Sequence, residues 1–272
     1  MGRRREEIFR IDRNPHRVRR FLGHLLLTVL MLALIAGVAN FAISRDVALE
    51  NVYVTVANLP EDLENYSILH LSDLHGATFG ERQAGIRNAL GSERFSLCVM
   101  TGDMLGPEGD TSALENLNTV TALTPDQVAA KRVAQYQLAR VEKIRSSLRE
   151  IQPTDIQIVL THAPLNAEYA QTLRGWSERG DVFSIRQSAL VLAGHLCGGQ
   201  WRLPWLGAVH VPEYGWFPED SLVTGVGWPG GVRQYISPGL GASGAYPWWQ
   251  SFRLFNRPVM TKVYLTARER GR

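Results

Sequence analysis

Asp73 and His75 stand two residues apart at the end of an apolar run that begins at Ile68. A β-strand directs residues i and i+2 to the same side, so both side chains can point together off the end of one strand. A carboxylate and an imidazole are ligands that divalent transition metals accept. Because Asp and His often lie two residues apart by chance, the pair indicates a metal site only with support from elsewhere in the chain.

Three further apolar runs end in residues of the same chemical type. Residues 95–103 end in Asp103, residues 156–162 end in His162, and residues 189–197 end in His195 and Cys197. Ligands on loops after successive strands of an α/β sheet converge at the carboxyl edge of the sheet. The sequence therefore predicts a metal centre at this edge. Cys197 is either a further ligand or a small loop residue.

The elements that would position these residues alternate between strand and helix patterns. Strands are predicted at 52–56, 68–71, 95–100, 156–161, 189–193, 235–237 and 259–265, and helices at 81–91, 124–153 and 165–178. An alternation of this kind is typical of an α/β fold.

An apolar segment at 21–43 contains no Asp, Glu, Lys or Arg. It is long enough to cross a hydrocarbon core of about 30 Å as a helix. Residues 1–20 hold eight Arg against three acidic residues, and the positive-inside rule places such a tail in the cytoplasm. We therefore expect a single-pass anchor in the cell membrane, with the main domain outside the cytoplasm. The alternatives are a cleaved secretory signal, with a site before Asn40, and a buried core helix.

The net positive charge of the chain comes from residues 1–20. The whole chain carries a net charge of +3, and residues 1–20 contribute +5 of it, so the remainder is about −2. A domain with this charge has no patch that indicates nucleic-acid binding. The two cysteines, Cys98 and Cys197, do not form a disulfide framework.

Taken together, the motifs resemble those of the calcineurin-like metallophosphoesterases, most closely the membrane-anchored bacterial branch whose last motif ends in Gly-Gly-Gln. The matching motifs are Ser-Asp-Leu-His-Gly at 72–76, Thr-Gly-Asp at 101–103, Thr-His-Ala-Pro at 161–164, Gly-His-Leu-Cys-Gly-Gly-Gln at 194–200, Ser-Pro-Gly-Leu-Gly at 237–241 and Arg-Leu-Phe-Asn-Arg-Pro at 253–258. The resemblance implies a two-sheet β-sandwich flanked by helices. On this basis we divide the chain into the tail at 1–20, the transmembrane helix at 21–43, a linker and first strand at 44–58, and the metallophosphoesterase-like domain at 59–272.

The resemblance also implies a centre of two divalent ions, with Mn, Fe or Zn as candidates. Asp73 and His75 would bind the first ion, Asp103 would bridge both ions, and His162 and His195 would bind the second. Asp103 and His195 are the residues that we predict to be catalytic. Such a centre would hydrolyse a phosphomonoester, a phosphodiester or a pyrophosphate. The membrane anchor makes a lipid-linked substrate one option, while the substrate and the oligomeric state stay open.

Two features depart from the pattern of the family. Cys197 stands where the family has the second His of Gly-His-x-His, and a thiolate there would favour softer ions such as Zn or Fe. The Gly-Asn-His motif of the family has no counterpart, since no His lies between 76 and 161. Loss of a general acid typically costs about 10²–10⁴ in rate. The alternative function is therefore that of a catalytically impaired family member that acts as a metal-binding or interaction module.

Overall fold

The computed structural model describes residues 15–106, 110, 112, 155–171 and 188–268. In these residues the chain is a mixed α/β protein with several sheets and an N-terminal apolar helix. Contacts divide the chain into two units, Met1–Ala42 and Ile43–Arg272. The helix predicted at 124–153 lies outside the described residues. Of the helix predicted at 165–178, residues 165–171 are described, and 167–171 of these are helical.

The N-terminal helix, α1, spans Pro15–Arg45 and contains the whole predicted membrane segment. Its part Val18–Arg45 is long and apolar enough to cross a membrane, which suits an anchor and a signal sequence equally. The large apolar side chains along it, such as Phe21, Leu30 and Phe41, are exposed. A buried core helix would cover such side chains, so α1 is not one.

The remaining elements of the described residues are short. They are β1 (Ala48–Thr55), β2 (Ser67–Leu71), α2 (Ala84–Leu90), β3 (Leu97–Met100), β4 (Gln157–Leu160), β5 (Ser188–Ala193), β6 (Arg202–Leu203), β7 (Gly207–Ala208), β8 (His210–Val211), β9 (Gly215–Trp216), β10 (Gly225–Gly227), β11 (Gln234–Ile236) and β12 (Val259–Thr266). All seven predicted strands are present among them, although β1 begins four residues earlier than predicted.

Within the described residues the strands form two four-stranded sheets and two short hairpins. The first sheet has the order β1-β12-β2-β3 and the second has the order β10-β11-β5-β4. Strands β2 and β3 are parallel, and so are β4 and β5. The chain therefore leaves both members of each pair at the same edge of the sheet. The hairpins pair β6 with β7 and β8 with β9.

The two large sheets pack against each other through a shared apolar core. It contains Ile68 of β2 and Val263 of β12 from the first sheet, and Leu190 of β5 and Tyr235 of β11 from the second. The other face of β2 packs with α2 in a second cluster, which includes Leu69. Strand β2 is therefore buried on both faces, as expected for the continuous apolar run in its sequence.

Candidate metal centre

The candidate ligands lie just beyond the carboxyl ends of four strands. Asp73 follows the end of β2 by two residues, Asp103 follows β3 by three, and His162 and His195 follow β4 and β5 by two each. The first two belong to one large sheet and the last two belong to the other. The packing of the two sheets brings all four residues to one place. There His162 contacts Asp103, and His195 contacts Asp73, across the two sheets.

Backbone hydrogen bonds join the two loops of the first sheet. The N–H of Asp73 donates to the carbonyl of Gly102 at 3.1 Å, and the N–H of His75 donates to the carbonyl of Asp103 at 2.8 Å. These bonds continue the pairing of β2 with β3 past the last residues of the strands. The side chains of Asp73, His75 and Asp103 are therefore positioned by backbone hydrogen bonds as well as by their own contacts.

One group of candidate ligands consists of Asp73, His75 and Cys197, whose donor atoms all lie within 4.8 Å of one another. Nε2 of His75 lies 3.9 Å from Oδ1 of Asp73 and 3.6 Å from Sγ of Cys197. Donor atoms that share one ion at about 2.0–2.3 Å are separated by no more than twice that distance. The separations measured here fit that limit, and the donor set of carboxylate, imidazole and thiol suits Zn or Fe.

A second group consists of Asp103, His162 and His195, again with all donor atoms within 4.8 Å. Nε2 of His162 lies 3.4 Å from Oδ2 of Asp103 and 3.0 Å from Nδ1 of His195. These distances meet the same limit for ligands of one ion.

The carboxylate of Asp103 lies between the two groups. Its Oδ2 is 3.4 Å from Nε2 of His162 in the second group and 3.7 Å from Nε2 of His75 in the first. Because Oδ2 of Asp103 lies near one ligand of each group, it could bind an ion in either group. The position suits a bridging ligand.

Outer hydrogen bonds select the tautomers of the two histidines in the second group. Nδ1 of His162 lies 3.1 Å from the carbonyl of Thr101, and Nε2 of His195 lies 3.1 Å from Oε1 of Glu213. Carbonyls and ionised carboxylates only accept hydrogen bonds, so these two nitrogens carry the protons. The bare nitrogens, Nε2 of His162 and Nδ1 of His195, then face each other at 3.0 Å. Two facing lone pairs are stable only when a cation or a shared proton lies between them.

Five of the six candidate ligands have a left-handed backbone conformation. Their φ angles are 52° at Asp73, 48° at His75, 46° at Asp103, 77° at His195 and 47° at Cys197. Only a few per cent of residues other than glycine adopt such angles, at a cost of about 1–3 kcal/mol each when the conformation is sparsely populated. Strain of this kind concentrates at functional sites, where the side-chain positions matter more than the local energy of the backbone.

Burial disfavours the charged forms of the first group. It raises the pKa of the Asp73 carboxyl and of the Cys197 thiol, and it lowers the pKa of His75. Asp73 and Cys197 have no exposed surface. Their ionised forms need compensating positive charge, which a bound cation supplies directly. The carboxylate of Asp73 also accepts the backbone N–H of His195, at 2.9 Å to Oδ1.

Arg253 and the loop at 237–241 form the buried support behind the first group. The N–H of Gly241 donates to the carbonyl of Asp73 at 2.6 Å, and the guanidinium of Arg253 in turn donates to the carbonyl of Gly241 at 2.6 Å. The side chain of Asn256 donates to the carbonyl of Cys197 at 2.8 Å. Burial lowers the pKa of Arg253 to about 10, so it stays a cation at neutral pH. The motifs at 237–241 and 253–258 therefore act by holding the ligand loops.

Two glycines leave room for ligand side chains. A Cβ on Gly102, where φ is +120°, would lie 2.6 Å from Nδ1 of His162, and a Cβ on Gly194 would lie 2.5 Å from Oδ2 of Asp73. Real Cβ atoms do not approach other atoms so closely. The ligands therefore pack directly on these two backbone positions.

Glu213 is a contact residue of the site that no sequence pattern indicates. It lies in the turn between β8 and β9, whose strands have two residues each, and no motif or periodic pattern surrounds it. Its role comes from its contact with His195, and no local signal in the sequence could have found it.

The other histidines of the domain have packing roles. His70 is fully buried, with Nε2 2.8 Å from Oγ1 of Thr101. Burial lowers its pKa to about 3. His210 lies 3.1 Å, at Nδ1, from Oε1 of Gln250, and its ring is 4.9 Å from that of Trp216. Neither belongs to the two ligand groups.

Comparison with protein-family models, with curated proteins and with solved structures gave no match.

Proposed function

We propose that this chain is a metal-dependent phosphoesterase of the calcineurin-like type. Its dinuclear centre would be held by the two ligand groups, Asp73, His75 and Cys197 for one ion and Asp103, His162 and His195 for the other. The observation that carries the proposal is the position of Asp103, whose Oδ2 lies 3.4 Å from His162 and 3.7 Å from His75. A carboxylate shared between two ions is the feature that distinguishes a dinuclear site from two separate ones.

Two divalent ions bound here would supply positive charge and Lewis acidity to a phosphoryl group. The side chains of the protein have three tasks. Asp103 would be the ligand that the two ions share. Thr101 and Glu213 keep the protons of His162 and His195 on the outer nitrogens, so that the inner nitrogens stay available. Cys197 biases the first site towards Zn or Fe over Mn, because a thiolate is a soft ligand.

We further propose that α1 anchors the protein in the cell membrane, with residues 1–20 in the cytoplasm and the catalytic domain on the other side. The length and composition of α1 and the eight Arg in residues 1–20 support this orientation. Protease added to intact cells stripped of their wall tests it. We expect cleavage of the domain, whereas protection of the domain until the cells are lysed would contradict this orientation.

A second candidate function is a metal-binding or interaction module without turnover. The observation that favours it is the lack of any His between 76 and 161 in the sequence. Removal of a general acid slows a reaction by about 10²–10⁴-fold. Such a module would bind metal at the same residues and leave phosphate esters intact.

One experiment separates these functions. The full-length protein, purified in detergent, is assayed for bound metal per chain and for hydrolysis of bis-(p-nitrophenyl) phosphate with added Mn or Zn. Asp103→Asn is the test variant. Asp220→Asn is the matched control, since Asp220 pairs with Arg202 and belongs to neither ligand group.

We expect about two ions per chain, as a dinuclear centre requires, and hydrolysis that is lost in Asp103→Asn and kept in Asp220→Asn. Metal without hydrolysis would support the module. Equal metal content in the wild type and in Asp103→Asn would contradict the bridging role of Asp103.

A further inference from the structure

A cavity of about 260 Å³ opens on the surface of the domain. Its lining is mainly apolar and includes Leu165, Tyr214, Leu222, Trp228, Pro229 and Ile236. Two of these side chains are well exposed, Leu222 at 43% and Trp228 at 57%. Large apolar side chains at the opening of an apolar cavity are typical of a site that binds a hydrocarbon group.

Two polar side chains along the wall, Gln234 and Ser221, already have hydrogen-bond partners. Oε1 of Gln234 accepts the N–H of Leu165 at 2.7 Å, and Nε2 of Gln234 donates to the carbonyl of Leu165 at 3.3 Å. The hydroxyl of Ser221 donates to Oε1 of Glu219 at 2.6 Å. A ligand gains little from competing for these groups, so the chemistry of the cavity favours an apolar occupant.

The cavity and the metal centre share two chain segments. Leu165 follows His162 by three residues, and Tyr214 follows Glu213 directly. Glu213 is the residue whose Oε1 lies 3.1 Å from Nε2 of His195. A ligand that occupies the cavity therefore lies against chain segments that adjoin His162 and Glu213 in the sequence.

The inner wall of the cavity is packed together with the loop that carries His195. Ile236 packs in one buried cluster with Leu196, which is the residue after His195. Tyr214 is packed against this cluster. The wall of the cavity and the loop that carries His195 are thus parts of one packed unit.

We infer that this cavity binds an apolar hydrocarbon group esterified to the phosphate that the metal centre acts on. The inference rests on the proposed function, and it names the substrate class as a phosphate ester with an alkyl or similar apolar group. The volume is below the range of about 300–1,000 Å³ for pockets that hold a whole drug-sized ligand. The cavity therefore holds one part of the substrate, while the phosphate lies outside it.

The first test measures binding without turnover. The full-length protein in detergent is titrated with 6-bromohexyl phosphate, whose bromine quenches tryptophan fluorescence on contact, with and without Zn. The short probe 2-bromoethyl phosphate is the control ligand. We expect saturable quenching by the longer probe that the shorter probe does not reproduce, and loss of that component in Trp228→Phe.

The second test measures hydrolysis of p-nitrophenyl phosphodiesters whose second group is methyl, butyl or hexyl. All release the same nitrophenolate, so differences report the apolar group alone. Each methylene that enters the cavity should raise kcat/KM by about fourfold. Leu222→Asp should flatten this dependence, because it places a charge at the opening. The matched control is Leu206→Asp, which changes a leucine of similar exposure, 54%, that lines a different cavity.

The outcomes separate this inference from the proposed function. If hydrolysis does not depend on the length of the alkyl group and no quenching is seen, the apolar site is overturned, whereas the proposed phosphoesterase activity stands. A chain-length dependence that Leu222→Asp and Leu206→Asp preserve equally would also overturn it. Quenching of Trp228 without hydrolysis of any ester would support the apolar site and count against the phosphoesterase.

Discussion

Glu213 accepts a hydrogen bond from Nε2 of His195 across 3.1 Å, and this contact joins the β8–β9 turn to the loop after β5. The bond fixes which nitrogen of His195 carries the proton. It leaves Nδ1 bare, 3.0 Å from Nε2 of His162. A carboxylate outside a histidine is a common means of orienting a metal ligand and raising its basicity.

Glu213→Ala should therefore weaken metal binding at the second group. Loss of such an outer partner typically lowers metal affinity or activity by about 10–100-fold. Competition with a chromophoric chelator measures the affinity. Glu219→Ala is the control, since Glu219 contacts Ser221 and neither ligand group. If both variants bind metal as tightly as the wild type, Glu213 does not orient His195.

Cys197→Ser should change the choice of metal more than it changes the fold. The serine hydroxyl is close in size to the thiol and is a poorer ligand for soft ions. We expect Zn affinity to fall by at least about tenfold, with a smaller change for Mn, because one thiolate ligand is lost. Parallel titrations with the two ions test this. No change for either ion would show that Cys197 is a small loop residue, and an equal loss for both would contradict its preference for soft ions.

Gly194→Ala should reduce both stability and metal affinity, because its Cβ would lie 2.5 Å from Oδ2 of Asp73. Overpacking at a well-packed position typically costs about 1–3 kcal/mol in the free energy of unfolding. Gly244→Ala is the control, because within the described part of the chain, its two sequence neighbours aside, no atom lies within 4 Å of its Cβ position. Denaturant unfolding and a zinc titration are the measurements. If Gly194→Ala and Gly244→Ala have the same free energy of unfolding, Gly194 is not tightly packed against Asp73.

Cys98 should react slowly with alkylating reagents in the native protein. Burial raises its pKa to about 11 from an ordinary value of 9.0, and only the thiolate is nucleophilic. The raised pKa means that the thiol form dominates below pH 11. The labelling rate of native Cys197→Ser, in which Cys98 is the only cysteine, should rise about tenfold per pH unit between pH 8 and 10.

Mass spectrometry after timed exposure to iodoacetamide gives the labelling rate, and the urea-unfolded variant is the reference. Unfolding exposes the thiol, so its rate should level off near pH 9. A native rate that also levels off near pH 9 would show that the thiol of Cys98 is not shielded.

The strands and the ligand types were predictable from local patterns. An apolar run followed by Asp73 and His75, or by His195, is a property of a few adjacent residues, so periodicity was enough to find the strand and its end. His70 lies three residues before Asp73, so the same alternation directs it to the opposite face of the strand. The apolar character of α1 was equally local, because composition over 21–43 decides it.

The arrangement of the ligands depends on the packing of two sheets. Oδ2 of Asp103 comes near both His75 and His162 only because β3 and β4, which belong to different sheets, end at the same place. The tautomer of His195 depends on Glu213, which reaches it through a turn with no motif of its own. Local sequence sets the conformation that each residue prefers. The distances between residues far apart in the chain arise from burial of a shared core, whose free energy belongs to the folded domain as a whole.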